Sequence, residues 1–165
     1  MYQSDITGRS YSKADFLTML EKRVRKHLRM HELVQDSGSY SFSQPDSLAA
    51  QYLQHVLRQV FGERISFTST GTQLDTRTLD EWISGQLTAV MQAEDLPRNK
   101  EGKPLLVVST KELLQAAALL GLDGAQPQET HSFIQQLHDL YPQTKSSFLK
   151  SFLYIKELEN TSEEK

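Results

Sequence analysis

Cysteine is absent from this sequence of 165 residues. Its absence excludes disulfide bonds, thiolate-bound zinc, cysteine-held iron–sulfur clusters and cysteine nucleophiles in this chain. A chain of this length buries enough apolar surface to fold without such cross-links. Because disulfides mark oxidising compartments, we expect a cytoplasmic protein. Residues 1–165 are expected to form a single domain, with flexible tails at 1–11 and 160–165.

Long apolar runs are also absent. No segment approaches the roughly 20 residues that a membrane-spanning helix needs, and the N-terminus lacks a basic region followed by an apolar stretch. We therefore expect neither secretion nor membrane insertion. The net charge is only -3 and the pI is about 5.9, so the chain as a whole does not match the charge of nucleic acid. Any binding of nucleic acid must be local.

Helical periodicity and capping signals predict six helices. The second has a proline in its first turn, and the third and fourth each begin with a capping box, a Thr or Ser followed three residues later by Glu. A Tyr-Pro pair separates the last two, because proline disfavours helical geometry in the residue before it. The predicted helices run from Ser12 through Leu28, from Pro45 to Gly62, and over 78–91, 109–121, 129–140 and 144–158.

Three short segments between the helices, 39–43, 64–69 and 105–109, are predicted to be strands. Their alternation with helices predicts an α/β fold in which a short, parallel, Rossmann-like sheet is flanked by helices. Only the third is apolar on both faces, as a central parallel strand usually is. In the first, serines alternate with Tyr40 and Phe42, so we expect it to lie at an edge or to pack its serines against a close helix.

Ligands of open α/β sheets bind outside the carboxyl ends of the strands. Here those ends carry hydroxyl-rich segments, two of which lead into helix N-termini, where free amides and the helix dipole favour an anion. The predicted phosphate-binding residues are Ser43, Gln44, Asp46, Ser47, Ser109, Thr110 and Lys111.

The alternative reading of the same residues is capping alone, because Ser, Thr and Asp are the preferred residues of helix caps and turns. Glycine is absent between Ser39 and Phe61, and no phosphate-binding glycine pattern is present. We assign no catalytic residue. His27 and His31 share a helix face but lack a third ligand, so we assign no metal site either.

The first helix also concentrates positive charge within two turns. Its cations could neutralise the phosphates of an RNA, or they could form an ordinary solvated face that is partly balanced by Glu21 and Glu32. The predicted RNA-binding residues are Lys22, Arg23, Arg25, Lys26 and Arg29.

Residues 16–29 resemble the helix that precedes the nucleotide loop in archaeal and eukaryotic tRNA 2-thiolation proteins of the PP-loop ATP pyrophosphatase superfamily. In that family a strand, the loop Ser-Gly-Gly-Lys-Asp-Ser and a helix follow. Here Asp46 and Ser47 match the last two loop residues. Residues 133–137 and 141–152, with the Tyr141-Pro142 break, are similar to the family's closing helices. Residues 107–112 replace a Gly-His-Asn motif without reproducing it.

This resemblance implies an adenine nucleotide alpha hydrolase-like fold and, in active members, adenylation of the wobble uridine by ATP with cysteines for zinc and catalysis. The missing loop glycines and cysteines imply a shortened, degenerate relative, comparable to non-catalytic partner subunits. Its expected partners are tRNA or a thiolation enzyme subunit.

Two other functions remain open at this point. One is an ATP pyrophosphatase-type enzyme with a remodelled loop, in which Ser43, Asp46, Ser47 and Thr110 hold phosphate, with ATP and magnesium as its cofactors. The other is a helix-mediated protein interaction module that binds no small ligand.

Overall fold

The computed structural model describes residues 1–92, 102–128, 132–141, 143–151 and 154. Within them, two strands near the N-terminus form an antiparallel pair, and three later strands form a parallel sheet. Residues 144–151 are helical. The strands are β1 (Tyr2–Gln3), β2 (Ser10–Tyr11), β3 (Gly38–Phe42), β4 (Ile65–Phe67) and β5 (Thr72–Leu74). The helices are α1 (Lys13–Met30), α2 (Leu48–Phe61), α3 (Leu79–Met91), α4 (Thr110–Leu120) and α5 (Ser132–Leu140), with a 3-10 turn at Gly62–Arg64.

The helix prediction is confirmed for α1, α3 and α4. Ser12 caps α1, and both predicted capping boxes are present, at Thr78 with Glu81 and at Ser109 with Glu112. The predicted start of α2 at Pro45 is wrong. Its N-cap is Ser47, whose hydroxyl accepts a hydrogen bond from the Ala50 amide, so the helix begins two residues beyond Asp46 at Leu48.

Further predicted ends lie outside the described residues. Positions 129–131, which would begin the fifth helix, Pro142 of the Tyr-Pro break, and the end of the sixth helix beyond 154 are among them. The tail predicted over 160–165 also lies outside the described residues.

The α/β class with a parallel sheet is confirmed, but one of its three strands is not the predicted one. β3 lies in the centre, with β4 on one side and β5 on the other, so the prediction of an edge position for the first strand is wrong. Helix α2 provides the crossover from β3 to β4. The chain then passes across the backbone of β3 at Gly71 and pairs with its other side as β5.

The serines of β3 are satisfied by this crossing segment. The Ser39 hydroxyl lies 2.6 Å from the hydroxyl oxygen of Thr68, and the Ser41 hydroxyl donates to the Gly71 carbonyl at 2.9 Å. A central strand therefore carries polar residues on one face because a loop, and not a helix, packs there and supplies hydrogen-bond partners.

The predicted strand at 105–109 is wrong. These residues form turns, and the Val108 amide donates to the Leu105 carbonyl at 3.0 Å. Leu105 and Val108 are fully buried in one apolar cluster, whereas Leu106 belongs to a second cluster around Trp82 and Ile83. Residues 105–108 are all apolar because they lie between the two apolar clusters. A short buried segment and a buried strand have the same apolar pattern, so the sequence does not distinguish them.

The N-terminal residues, predicted to be a flexible tail, contact the rest of the chain. β1 pairs with β2, and the side chains of Ser4 and Asp5 are buried. Ser4 donates to the Glu112 carboxylate of α4 at 2.6 Å. Among the described residues, no helix is both long and apolar enough to cross a membrane.

Candidate functional site

A crevice lies outside the carboxyl ends of β3 and β4, where a ligand is expected in this class of sheet. It encloses about 470 Å³. The Phe42 and Phe67 rings stack within it, with centroids 5.3 Å apart. Its polar lining includes the side chains of Gln51, Gln54 and Ser69, and among the described residues none of its lining residues is charged. The crevice suits a neutral, flat, hydrogen-bonding group better than a polyphosphate.

The first phosphate-binding segment predicted from the sequence borders this crevice, but most of its groups serve the fold. The Ser43 amide donates to the Leu74 carbonyl, and its hydroxyl accepts from the Thr76 amide. Ser47 caps α2 and donates its hydroxyl to the Gln44 carbonyl at 2.7 Å. These contacts bind the loop to β5 and to α2.

The N-terminus of α2 is covered by a later part of the chain. The Leu48 amide, the first of the helix, donates to the Ala125 carbonyl at 2.8 Å, and the Ala125 amide donates to the Asp46 carbonyl at 2.9 Å. Gly124 makes this approach feasible, because a Cβ there would lie 2.9 Å from the Leu48 nitrogen. An amide that would otherwise be available to an anion is therefore already paired.

Between Ser43 and Ala50, three backbone amides have no partner among the described residues, those of Gln44, Asp46 and Ala49. The Gln44 and Asp46 residues are exposed, whereas Ala49 is only 3% exposed. The segment 43–47 contains no lysine or arginine. Its remaining capacity for an anion is two or three amides beside one carboxylate, a weak donor set for a triphosphate.

The second predicted phosphate-binding segment lies at the N-terminus of α4, where a carboxylate of the protein itself occupies the position of an anion. The Thr110 amide donates to the Asp80 carboxylate at 2.6 Å, and the hydroxyl oxygens of Thr110 and Thr78 are 2.8 Å apart. Ser109 is fully buried as the cap, and Lys111 is exposed, 4.0 Å from the Asp5 carboxylate. The dipole of α4 is thus already compensated by aspartate.

A buried charge cluster extends from this point, and sequence reasoning missed it. The Lys145 ammonium donates to Asp5 at 2.6 Å and to Gln135 at 3.1 Å, and it lies 2.7 Å from the second oxygen of Asp80. His138 lies 3.4 Å from the Asp5 carboxylate. We name Asp5, Asp80, Lys145 and His138 the buried charge cluster. No local pattern identifies it, because its members come from four separate segments.

The basic residues predicted on α1 divide into two groups. Arg23 faces inward, where its guanidinium donates to the Glu112 carboxylate at 2.8 Å and to the Val107 carbonyl at 3.0 Å. The other four residues are exposed along one ridge, Lys22, Arg25, Lys26 and Arg29. We name these four the α1 basic ridge.

His27 of α1 and His31, the C-cap residue of this helix, lie close to each other, with ring centroids 4.5 Å apart. Burial and the neighbouring His31 hold the pKa of His27 below its ordinary value, although its contact with the Lys103 carbonyl acts in the opposite direction. Among the described residues, no group of three histidine, aspartate or glutamate side chains is placed to hold a metal ion.

Comparison with known proteins shows a likeness of fold. No protein-family model and no curated protein matches the sequence. The structure is similar to that of U34-tRNA thiolase NcsA from Methanococcus maripaludis, solved with its [4Fe-4S] cluster. The TM-score is 0.75 at 13% identity, over 95% of this chain and 84% of that chain. The chain has the fold of this thiolase.

The iron–sulfur cluster of the thiolase does not fit this chain. Such clusters are held mainly by cysteine thiolates, and this sequence contains no cysteine. A triphosphate fits poorly as well, because the Leu48 and Thr110 amides at the two helix N-termini already have acceptors within the protein. The neutral crevice is the part of the strand-end region that remains suited to a small ligand.

Proposed function

We propose that this chain is a degenerate PP-loop domain that does not cleave ATP and that acts as a binding or partner protein in tRNA thiolation. The observation that carries the proposal is the hydrogen bond from the Leu48 amide to the Ala125 carbonyl at the start of α2. Phosphate-binding loops of this kind keep the amides at that position free for the ligand. The likeness of the fold to NcsA supports the link with tRNA modification.

The electrostatics of the loop support the same proposal. Transfer chemistry on ATP requires cations that neutralise charge on the phosphates. Segment 43–47 supplies one carboxylate and no cation, and the α4 N-terminus is already compensated by Asp80. Such a site would repel a triphosphate more than it would attract one.

The proposal predicts that calorimetric titration with ATP and magnesium releases no binding heat from the wild-type protein. An assay for pyrophosphate should likewise show no turnover. Asp46→Ala removes the carboxylate beside the loop, and Asp139→Ala removes another exposed carboxylate, on α5, as the control. Micromolar binding that is lost in Asp46→Ala and kept in Asp139→Ala, with pyrophosphate release, would show that the chain is an active enzyme instead.

The neutral crevice favours a second candidate, a nucleotide-binding enzyme with a remodelled loop. Its aromatic pair and its glutamines suit a nucleobase, and the free amides of Gln44 and Asp46 flank Pro45, which lines it. This candidate predicts the opposite calorimetric result, so the same titration distinguishes the two.

A further inference from the structure

A second cavity lies at the other end of the sheet. It encloses about 780 Å³ between the last turns of α1 and α2 and the residues that lead into β3. Its floor is apolar, with Leu28, Val34, Val60 and Phe61. Because it borders the amino ends of β3 and β4, it is separate from the strand-end crevice described above. We name it the α1–α2 cavity.

Part of the lining of the α1–α2 cavity is positively charged. Arg25 and Arg29 line it and continue the α1 basic ridge. Arg25 is paired with Glu21, whereas Arg29 has no ion-pair partner among the described residues. The Arg64 guanidinium lies over the Phe61 ring, 6.0 Å from its centroid. The ridge and the cavity together place cations beside an aromatic floor.

The lining of the α1–α2 cavity also carries hydrogen-bond acceptors. Glu32, Gln35 and Asp36 line it. The backbone amide of Gln35 donates a hydrogen bond to the Tyr40 hydroxyl at 2.8 Å. Glu32 has the left-handed backbone conformation, with φ 49°. Non-glycine residues in that conformation carry strain and concentrate at ligand sites. The segment that carries these acceptors is thus fixed to the central strand by a hydrogen bond.

We propose that the α1–α2 cavity binds an unpaired guanine of a single-stranded RNA segment whose flanking phosphates contact the α1 basic ridge. Cations and apolar floor match the two parts of a nucleotide, the phosphate and the base. Guanine presents two adjacent donors on its pairing edge, N1–H and N2–H, which one carboxylate accepts together, and Asp36 supplies that carboxylate. The carboxylates also repel phosphates, so the base and not the backbone enters.

This inference rests on the proposed link to tRNA modification, and it names the part of the RNA that the chain would hold. The test is fluorescence anisotropy with a labelled RNA of ten adenosines and with the same RNA carrying one central guanosine. Arg29→Gln removes a phosphate contact, Asp36→Asn removes the base acceptor, and Lys13→Gln removes an equal charge from the other end of α1. All three positions are exposed, so the variants retain the fold.

The wild type is expected to prefer the guanosine-containing RNA roughly tenfold, the discrimination typical of one good bidentate contact. Asp36→Asn should abolish that preference. Arg29→Gln should weaken binding of both RNAs and reduce the slope of affinity against salt by about 1, whereas Lys13→Gln should leave both unchanged. The proposal is overturned if neither RNA binds. It is also overturned if Asp36→Asn keeps the preference for the guanosine-containing RNA.

Guanosine monophosphate added as competitor identifies the source of the base. Displacement only at concentrations far above the RNA dissociation constant supports a strand, and displacement at that constant overturns the RNA proposal in favour of a free nucleotide. The outcome of the RNA-binding experiments is independent of the outcome of the ATP titration. Absence of RNA binding refutes this inference alone, and pyrophosphate release refutes the proposed function alone.

Discussion

Replacement of Lys145 by methionine is expected to lower the free energy of unfolding by about 3–5 kcal/mol, the cost of removing one partner from a buried ion pair. The lysine is 1% exposed and is the cation shared by Asp5 and Asp80. Methionine keeps most of the volume and removes the charge. Two buried carboxylates then lose the cation that they share, which is the large part of the loss.

The matched control is Lys150→Met, which removes an exposed lysine from the same helical segment and should change stability by less than about 0.5 kcal/mol. Urea unfolding can be followed by the fluorescence of Trp82, the only tryptophan and a buried one. Addition of Asp5→Asn to Lys145→Met should recover part of the loss, because one of the uncompensated charges is removed. Equal losses for Lys145→Met and Lys150→Met would refute the role of the buried charge cluster.

The contact between Asp5 and Lys145 also predicts how the stability of the protein depends on pH. Burial by itself raises the pKa of Asp5, but the hydrogen bond and charge of Lys145 outweigh it and hold that pKa below the ordinary 3.8. Burial lowers the pKa of Lys145, and Asp80 and Asp5 outweigh that effect and raise it above 10.5. The pair therefore stabilises the protein at pH values between the pKa of Asp5 and the pKa of Lys145. The difference between wild type and Lys145→Met should shrink as pH falls below 3.8.

Elements whose signals are local could be predicted from the sequence. The N-caps of α1, α3 and α4 depend on hydroxyls three residues from their partners, so Ser12, Thr78 and Ser109 identified the starts of these helices. The third strand could not be predicted. β5 has three residues, two of them exposed, and pairs with β3 only because Gly71 lets the chain cross.

For the candidate sites, too, local features could be predicted from the sequence and contacts between distant residues could not. Segment 43–47 lies between a strand and a helix as predicted, whereas segment 109–111 follows a turn and not the predicted strand. The sequence also does not reveal that the Ala125 carbonyl and the Asp80 carboxylate accept hydrogen bonds from the Leu48 and Thr110 amides. Arg23 is similar, since its burial depends on Glu112 in a distant helix. Hydrogen bonds between residues far apart in the chain leave no periodicity or spacing to detect.

Gly71 is the position where the crossing segment lies closest to the central strand. A Cβ placed there would lie 2.5 Å from the Tyr40 nitrogen and 2.6 Å from the Ser39 carbonyl carbon, both backbone atoms. Neither can move aside without disturbing the pairing of β3 with β4 and β5, since Ser39 and Tyr40 belong to those ladders. The parallel sheet, and with it the strand-end crevice, therefore depends on a missing side chain.

Gly71→Ala is accordingly expected to destabilise the protein by about 3 kcal/mol, at the upper end of typical overpacking costs, because backbone has to shift. Gly85→Ala is the matched control. Gly85 lies within α3, and of the residues that the structure describes, its added Cβ would meet only the Arg77 guanidinium, at 3.8 Å. Alanine favours a helix interior over glycine, so this variant should gain up to about 1 kcal/mol. Urea unfolding measures both, and a Gly71→Ala protein as stable as wild type would show that the chain does not cross β3 in this way.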